Sequence, residues 1–195
     1  AWESYPEGDN LDLLNAFIED LRAFFFDRLK VHLKDKGVRH DLIDALFARG
    51  ADDDLLRIVG KGEVLGAFLE TDDGADLLVA YRRANNIVRI EEKKRGERFN
   101  SAPNETEFEQ DEEKDLWNAL NNVVQESGTN QEMAQFDKAI LALANLRKPV
   151  DAFFDNVTVN CGVEKLERNR LNFLSDISAT MNRVADFSCI EGGER

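Results

Sequence analysis

The sequence predicts an all-α protein, a helical bundle of about seven or eight helices, on three observations. Apolar residues recur at steps of three and four along most of the chain, as on the buried stripe of a helix. Only three prolines occur in 195 residues, at positions 6, 103 and 149, so long stretches are free to be helical. No segment shows the clear alternation of apolar and polar residues that is typical of a β-strand.

The periodic apolar positions and the capping residues place the helices in order. The predicted helices span about 9–36, 41–48, 53–69, 71–94, 116–124, 133–146, 150–157 and 164–187. Gly60 and Gly62 predict a kink or break in the third helix, since each costs a helix about 1 kcal/mol relative to alanine. Pro149 is predicted to start a new helix at Val150, because its fixed φ suits a first turn.

The composition divides the chain into four parts. Residues 1–9 are read as a tail and residues 10–95 as the N-terminal helical part of one module. Residues 96–115 hold an acidic string with little periodic apolar content, which predicts an exposed linker or the frayed entry to a helix. Residues 116–195 form the C-terminal helical part of the same module.

Charge and composition exclude several classes of protein. The formal net charge is −14 and the sequence pI is about 4.6, which argues against nonspecific binding of DNA or other nucleic acid. No apolar run approaches the ~20 residues needed to cross a bilayer, so no membrane partner is expected. The N-terminus lacks the features of a secretory signal, and Cys161 and Cys189 are too few for a disulfide framework. These features together predict a cytoplasmic protein.

The chain has no motif of catalysis or metal binding. We find no glycine-rich phosphate loop, nucleophile elbow or zinc spacing, and the only histidines are His32 and His40. The sequence therefore predicts no catalytic residue, no metal site and no cofactor in this chain.

Three blocks of sequence together resemble a known family. They are Gly37–Ala45, Tyr81–Val88 and Leu146–Val157, the last followed by Arg168–Leu171 and Val184–Ser188. Their order and spacing are similar to the C-terminal, anticodon-binding (DALR-like) region of the β subunit of bacterial glycyl-tRNA synthetase. The resemblance spans about residues 10 to 190.

The resemblance implies a fold and a function. It implies an all-helical module similar to the anticodon-binding domain of class I, arginyl-type synthetases. The module would hold glycine tRNA while a separate α subunit makes glycyl-adenylate from glycine and ATP with the help of Mg²⁺. The expected partners are glycine tRNA, the α subunit and the remainder of the β subunit. The alternative is a protein-interaction module that assembles α and β without touching RNA, and the acidity of the chain favours it.

The best basic surface lies on the fourth helix and its end. Arg82, Asn86 and Arg89 are four and three residues apart and share a face, and arginine and asparagine can bond phosphates and base edges. A solvated face paired with Glu91 and Glu92 is the structural alternative. With the resemblance, the expected RNA-binding residues are Tyr81, Arg82, Arg83, Asn85, Asn86, Arg89, Lys93, Arg168, Asn169 and Arg170.

Two further sets of residues have structural alternatives to an RNA contact. Phe153 and Phe154 are adjacent on a helix and cannot face the same way, so at least one is expected in the core. The Arg168–Arg170 segment either touches RNA or pairs with Asp151 and Asp155, which stand four residues apart.

Overall fold

The computed structural model describes residues 7–35, 39–48, 54–128 and 133–192, and within these ranges it contains seven α-helices and no β-strand. The all-α prediction is confirmed. The helices are α1 (Glu7–Asp35), α2 (His40–Phe47), α3 (Leu55–Glu70), α4 (Asp72–Arg95), α5 (Asp111–Ser127), α6 (Met133–Asn156) and α7 (Glu164–Met181), with short 3-10 helices at Glu105–Glu107 and Phe187–Cys189. No helix in these ranges combines the length and apolarity that a bilayer crossing requires.

The chain divides into two compact units, Ala1–His40 and Asp41–Arg195. The predicted acidic linker thus lies inside the second unit, while the predicted four-part division stays a prediction. In the first unit, α1 carries a broad apolar face that is exposed to solvent. Its exposed apolar side chains are Leu13, Leu14, Phe17, Ile18, Leu21, Phe24, Phe25 and Val31.

The second unit is a bundle built mainly from α4, α5, α6 and α7. Helices α4 and α7 run antiparallel, since Arg95 bonds Glu167 at one end and Tyr81 bonds Asn182 at the other. Helices α4 and α6 run parallel to each other, and α5 packs along α6. The largest fully buried side chains are Phe99, Phe136, Phe153, Phe173, Phe187, Leu42, Ile43, Leu65, Leu77, Leu116, Leu120 and Leu143.

Pro149 does not start a helix, and this prediction is wrong. Helix α6 continues through it from Met133 to Asn156. The backbone carbonyl that loses its hydrogen-bond donor belongs to Asn145, four residues earlier, whose side chain is exposed to water. Leu146 and Val150 on either side are fully buried, so their burial outweighs the local cost of the proline.

The predicted break at Gly60 and Gly62 is also absent, because α3 is continuous from Leu55 to Glu70. Ile58 and Leu65 are buried on the same helix and stabilise it through the core. A Cβ at Gly60 would lie 3.4 Å from the Met133 Cε, which is ordinary van der Waals contact, so α6 packs against α3 at this glycine.

The last helix ends at Met181, six residues before the predicted end at Phe187. The Asn182 side chain explains the stop. Its Oδ1 accepts hydrogen bonds from the Phe187 backbone N–H at 3.0 Å and from the Tyr81 hydroxyl at 3.2 Å, which folds the chain back onto α4. The Glu191 N–H then donates to Asp41 Oδ2 at 2.8 Å, so the C-terminal segment also holds α2.

The acidic segment 96–115 is packed on the bundle more closely than an exposed linker would be. Phe99 is buried, and Phe108 lies 5.0 Å from the ring of Phe173. The last residues of the acidic segment belong to α5, which begins at Asp111. A capping box starts that helix, because the buried Glu113 carboxylate accepts from the backbone N–H of Gln110.

Candidate nucleic-acid interface

Helix α4 positions the candidate site, and capping residues define both ends of this helix. The Thr71 hydroxyl caps the start by accepting from the Gly74 N–H at 3.1 Å. Gly96 ends the helix in the left-handed conformation with φ of 70°, which glycine adopts without strain. Tyr81 and Val88 are buried, so the opposite side of the helix faces outward.

The outward side of α4 carries a line of polar residues that we call the cation stripe: Arg83, Asn86, Arg89 and Lys93. They follow one another at steps of three and four, and all four are exposed. Among the residues that the structure describes, none places a carboxylate within ion-pair distance of the three cations. The stripe is therefore a positive surface on an acidic protein.

The guanidinium of Arg83 lies over an aromatic ring of α6. The guanidinium carbon is 4.3 Å from the centroid of the Phe154 ring, which is within the range of a cation–π interaction. Phe154 is half-buried and packs on the core, whereas Phe153 is fully buried. The prediction that at least one of this pair is in the core is confirmed.

Asn86 and Arg89 are linked within the stripe. The Arg89 Nη2 donates to the Asn86 Oδ1 at 3.3 Å. The amide oxygen is therefore occupied, and the amide nitrogen keeps its two N–H donors for another acceptor. Asn85, one position earlier, is half-buried.

The remaining cations at the end of α4 are paired, as the structural alternative proposed. Arg95 bonds Glu91 at 3.0 Å and Glu167 at 2.6 Å, and Arg98 bonds Glu92 at 2.9 Å. The hydrogen bond from Arg95 lowers the pKa of Glu91 and is also the main cause of the lowered pKa of Glu167. The Arg95–Glu167 pair joins α4 to α7, and these pairs neutralise the charges of Arg95 and Arg98 within the fold.

Two predicted RNA-binding residues of α4 have partners inside the protein. Tyr81 is 3% exposed, and its hydroxyl donates to Asn182. Arg82 is half-buried and donates from Nη2 to the Ile190 backbone carbonyl at 2.8 Å. We therefore do not include Tyr81 and Arg82 in the interface proposed below.

The predicted group on α7 separates into one exposed and two buried residues. Arg168 is exposed and pairs with Glu97 at 2.7 Å. Asn169 is buried and bonds the Asn104 backbone at both its N–H and its carbonyl, at 2.7 and 3.2 Å. Arg170 is also buried, so Asn169 and Arg170 hold the fold together and are left out of the interface.

Arg170 forms a buried ion pair that the sequence did not indicate. Its Nε lies 3.0 Å from the Glu113 Oε1, and its Nη1 donates to the Thr158 carbonyl at 3.0 Å. The alternative that Arg168 or Arg170 pairs with Asp151 or Asp155 is wrong. Arg168 pairs with Glu97 and Arg170 with Glu113, while Asp151 pairs with Arg147 of its own helix at 3.3 Å. No spacing along the chain could reveal the pairs of Arg168 and Arg170, because their partners Glu97 and Glu113 come from distant segments.

Arg147 of α6 is surrounded by three carboxylates. It contacts Asp73 at 2.8 Å, Asp76 at 2.6 Å and Asp151 at 3.3 Å. Burial raises the pKa of Asp151, and the neighbouring Arg147 opposes that shift. The N-terminal part of α4 is therefore negative where it meets Arg147, whereas the cation stripe begins further along the helix at Arg83.

Comparison with known proteins identifies the fold family. The family model described as the DALR anticodon binding domain matches residues 77–187, which include the cation stripe and Phe154. The chain belongs to this family. The match begins inside α4 and ends in the last 3-10 helix, so it covers most of the bundle described above.

Curated relatives include glycine–tRNA ligase beta subunits. The chain is 50% identical over 174 residues to the glycine–tRNA ligase beta subunit of Rhodospirillum centenum, a match that covers 89% of this chain and 24% of the relative. It is 47% identical over 180 residues to the protein of that name from Phenylobacterium zucineum, covering 92% of this chain and 27% of the relative. The chain thus spans about a quarter of the length of the curated relatives that it matches.

The described residues offer no sign of a metal centre. In the ranges 7–35, 39–48, 54–128 and 133–192, no three side chains of His, Cys, Asp or Glu are grouped so that they could hold a metal ion. The chemistry available on the outer face of α4 is that of charge, hydrogen bonding and stacking.

Proposed function

We propose that this chain is the anticodon-recognition part of a glycine–tRNA ligase β subunit, and that α4 binds the RNA. The observation that carries the proposal is the cation stripe. Arg83, Arg89 and Lys93 are exposed without a carboxylate partner in the described part of the chain, and they lie within the residues that match the anticodon-binding family.

The proposed role in the whole enzyme follows from the names of the relatives. The chain would hold the anticodon stem-loop of glycine tRNA so that the acceptor end reaches a separate α subunit, which would use ATP and Mg²⁺. Its other partners would be that α subunit and the remainder of the β subunit, in the cytoplasm. This chain would contribute binding and positioning and no catalytic group.

The first test is the affinity of the purified chain for glycine tRNA and for an anticodon-swapped version, measured across a salt series. We expect preferential binding to the native anticodon that weakens as salt rises. For a single-stranded loop each neutralised phosphate contributes about −0.7 to the slope of log K against log salt, so three cations predict a slope of about −2. Absence of binding at low salt would overturn the proposal that this chain reads RNA.

A matched pair of variants assigns the binding to the stripe. R83Q/R89Q/K93Q removes three positive charges from α4, while K114Q/K138Q/K165Q removes three exposed charges from α5, α6 and α7. The first variant should flatten the salt slope by about 2, and the second should leave it close to the wild-type value. Equal losses in the two variants would show that RNA responds to net charge and would reject the stripe.

The alternative function is assembly of the enzyme through protein contacts. The observation in its favour is the exposed apolar face of α1, where Leu14, Phe17 and Leu21 are 56%, 62% and 43% exposed. This function predicts that the isolated chain binds no tRNA and yet is required for a stable α–β complex. Gel filtration of the two subunits, with and without this chain, would distinguish it from RNA recognition.

A further inference from the structure

We propose that Arg83 and Phe154 together form a stacking platform for one unpaired nucleobase of the RNA. The inference rests on the proposed function and specifies how part of it is achieved. The platform has two layers, with the ring of Phe154 beneath and the guanidinium of Arg83 above. A base would be the third layer, on the outer side of the guanidinium.

The geometry supports such a stack. The guanidinium carbon lies 4.3 Å from the ring centroid. A guanidinium is planar and weakly hydrated, so it can stack on a ring with one face and on a base with the other. Arg83 is exposed, which leaves its outer side open to a ligand.

The aromatic layer of the platform, Phe154, packs against buried aromatic side chains. The Phe154 ring meets Phe153 edge-on, with centroids 6.2 Å apart. Phe153 is fully buried and contacts the buried Phe173 of α7 at 5.6 Å. Because the lower layer is fixed by the core, little conformational freedom is lost when a base binds.

The other two cation–aromatic contacts described in the second unit do not leave the cation open to a ligand. Arg95 lies 6.0 Å from the Phe99 ring, but its guanidinium is already bonded to Glu91 and Glu167. Lys61 lies 5.7 Å from a buried ring and is itself 6% exposed. Arg83 combines a planar cation, an aromatic support and access from solvent.

The neighbouring residues match the chemistry of a single-stranded nucleotide. Asn86 is one turn further along α4, and its amide oxygen is held by Arg89, so its N–H donors are free to meet acceptors on a base edge. Arg89 and Lys93 continue the same face and can bond the phosphates on either side. A base inside a duplex has both faces covered, so the platform selects an unpaired base.

The test combines protein variants with an RNA that lacks one base at a time. Wild type, R83K, R89K and F154L are titrated with the glycine anticodon stem-loop and with versions that carry an abasic site at each loop position in turn. R83K keeps the positive charge and loses the planar group, and R89K makes the same exchange away from the ring. Loss of one stacked base should weaken wild-type binding by about tenfold or more.

At one loop position, we expect the abasic site to weaken RNA binding by wild type and by R89K about tenfold or more. The same abasic site should hardly weaken binding by R83K further, because R83K already lacks the platform. F154L should resemble R83K, and its thermal unfolding is measured alongside. Should F154L unfold, R83K against R89K still decides the question.

Two failures can be told apart. If every abasic RNA weakens R83K and R89K as much as it weakens wild type, Arg83 contacts phosphate alone and the platform is rejected. Binding would then still be lost in R83Q/R89Q/K93Q. If that triple variant binds like wild type, the proposed function fails as well.

Discussion

Breaking the buried ion pair between Glu113 and Arg170 should destabilise the second unit severely. The two side chains are 1% and 5% exposed, and the Arg170 Nε lies 3.0 Å from the Glu113 Oε1. The other carboxylate oxygen accepts from the backbone N–H groups of Glu109 and Gln110 at 2.8 and 3.0 Å. Glu113→Leu therefore leaves the buried guanidinium with the exposed Glu109 carboxylate, 3.7 Å away, as its remaining ionic partner, and it also removes the capping box of α5.

Removal of one partner from a buried pair costs about 3–5 kcal/mol, because the remaining charge stays buried without compensation. In a unit of this size each kcal/mol lowers Tm by about 2–4 °C, so the expected loss is about 6–20 °C for Glu113→Leu or for Arg170→Met. The double variant carries no unpaired charge. Its loss should be far below the sum of the two single losses, with a coupling of about 2 kcal/mol or more.

The assay is unfolding of the wild type, the two single variants and the double variant at neutral pH, by heat for the Tm and by urea for the free energy of unfolding. Both transitions are followed by circular dichroism. Lys114→Met is the control, since it removes a pair with Asp111 at 2.9 Å that is open to solvent. This control should leave the transition almost unchanged. The reasoning is refuted if the two single losses add in the double variant, or if Arg170→Met is as mild as Lys114→Met.

Three further perturbations test other parts of the fold. Gly74→Ala would drive its Cβ into the backbone carbonyl of Phe68, which cannot move aside as a flexible side chain could, so urea unfolding should show a loss of about 3 kcal/mol or more. Asp54→Ala removes the acceptor of two N–H groups at the start of α3, and the same assay should show a loss of about 1 kcal/mol. Glu91 and Glu167 have folded-state pKa values below their ordinary 4.5, so their stabilising contribution is complete above about pH 4.5 and is lost as the pH falls through those lower values. The Tm of E91Q/E167Q should accordingly fall less steeply than that of the wild type below pH 4.5.

The presence of the helices could be predicted from apolar periodicity. Whether a helix continues through a glycine or a proline could not. Gly60 and Pro149 carry local costs that are visible in the sequence. What offsets those costs is burial of neighbours such as Leu65 and Val150 against other helices, and that burial is tertiary information. The early end of α7 has the same origin, because Asn182 receives bonds from both Tyr81 and the C-terminal segment.

The candidate site could be located on α4 from the spacing of its cations, but the pairing state of each cation could not. Arg95 and Arg89 look alike in the sequence. In the fold, Arg95 meets Glu167, which is 72 residues away, and Arg89 meets no carboxylate among the described residues. Phe154 likewise lies 71 positions from Arg83, so the platform exists only once α4 and α6 run side by side.

The acidity of the chain and a role in RNA binding are compatible because charge acts locally. At physiological ionic strength the Debye length is about 8 Å, so carboxylates on distant helices are largely screened at α4. The buried pair of Arg170 and Glu113 contributes little net field at the surface, whereas Arg83, Arg89 and Lys93 face outward with their charges uncompensated. An overall charge of −14 then repels RNA that approaches elsewhere. The proposed RNA binding would be selective for this reason, since only RNA that presents an accessible loop to the stripe would gain attraction that exceeds the general repulsion.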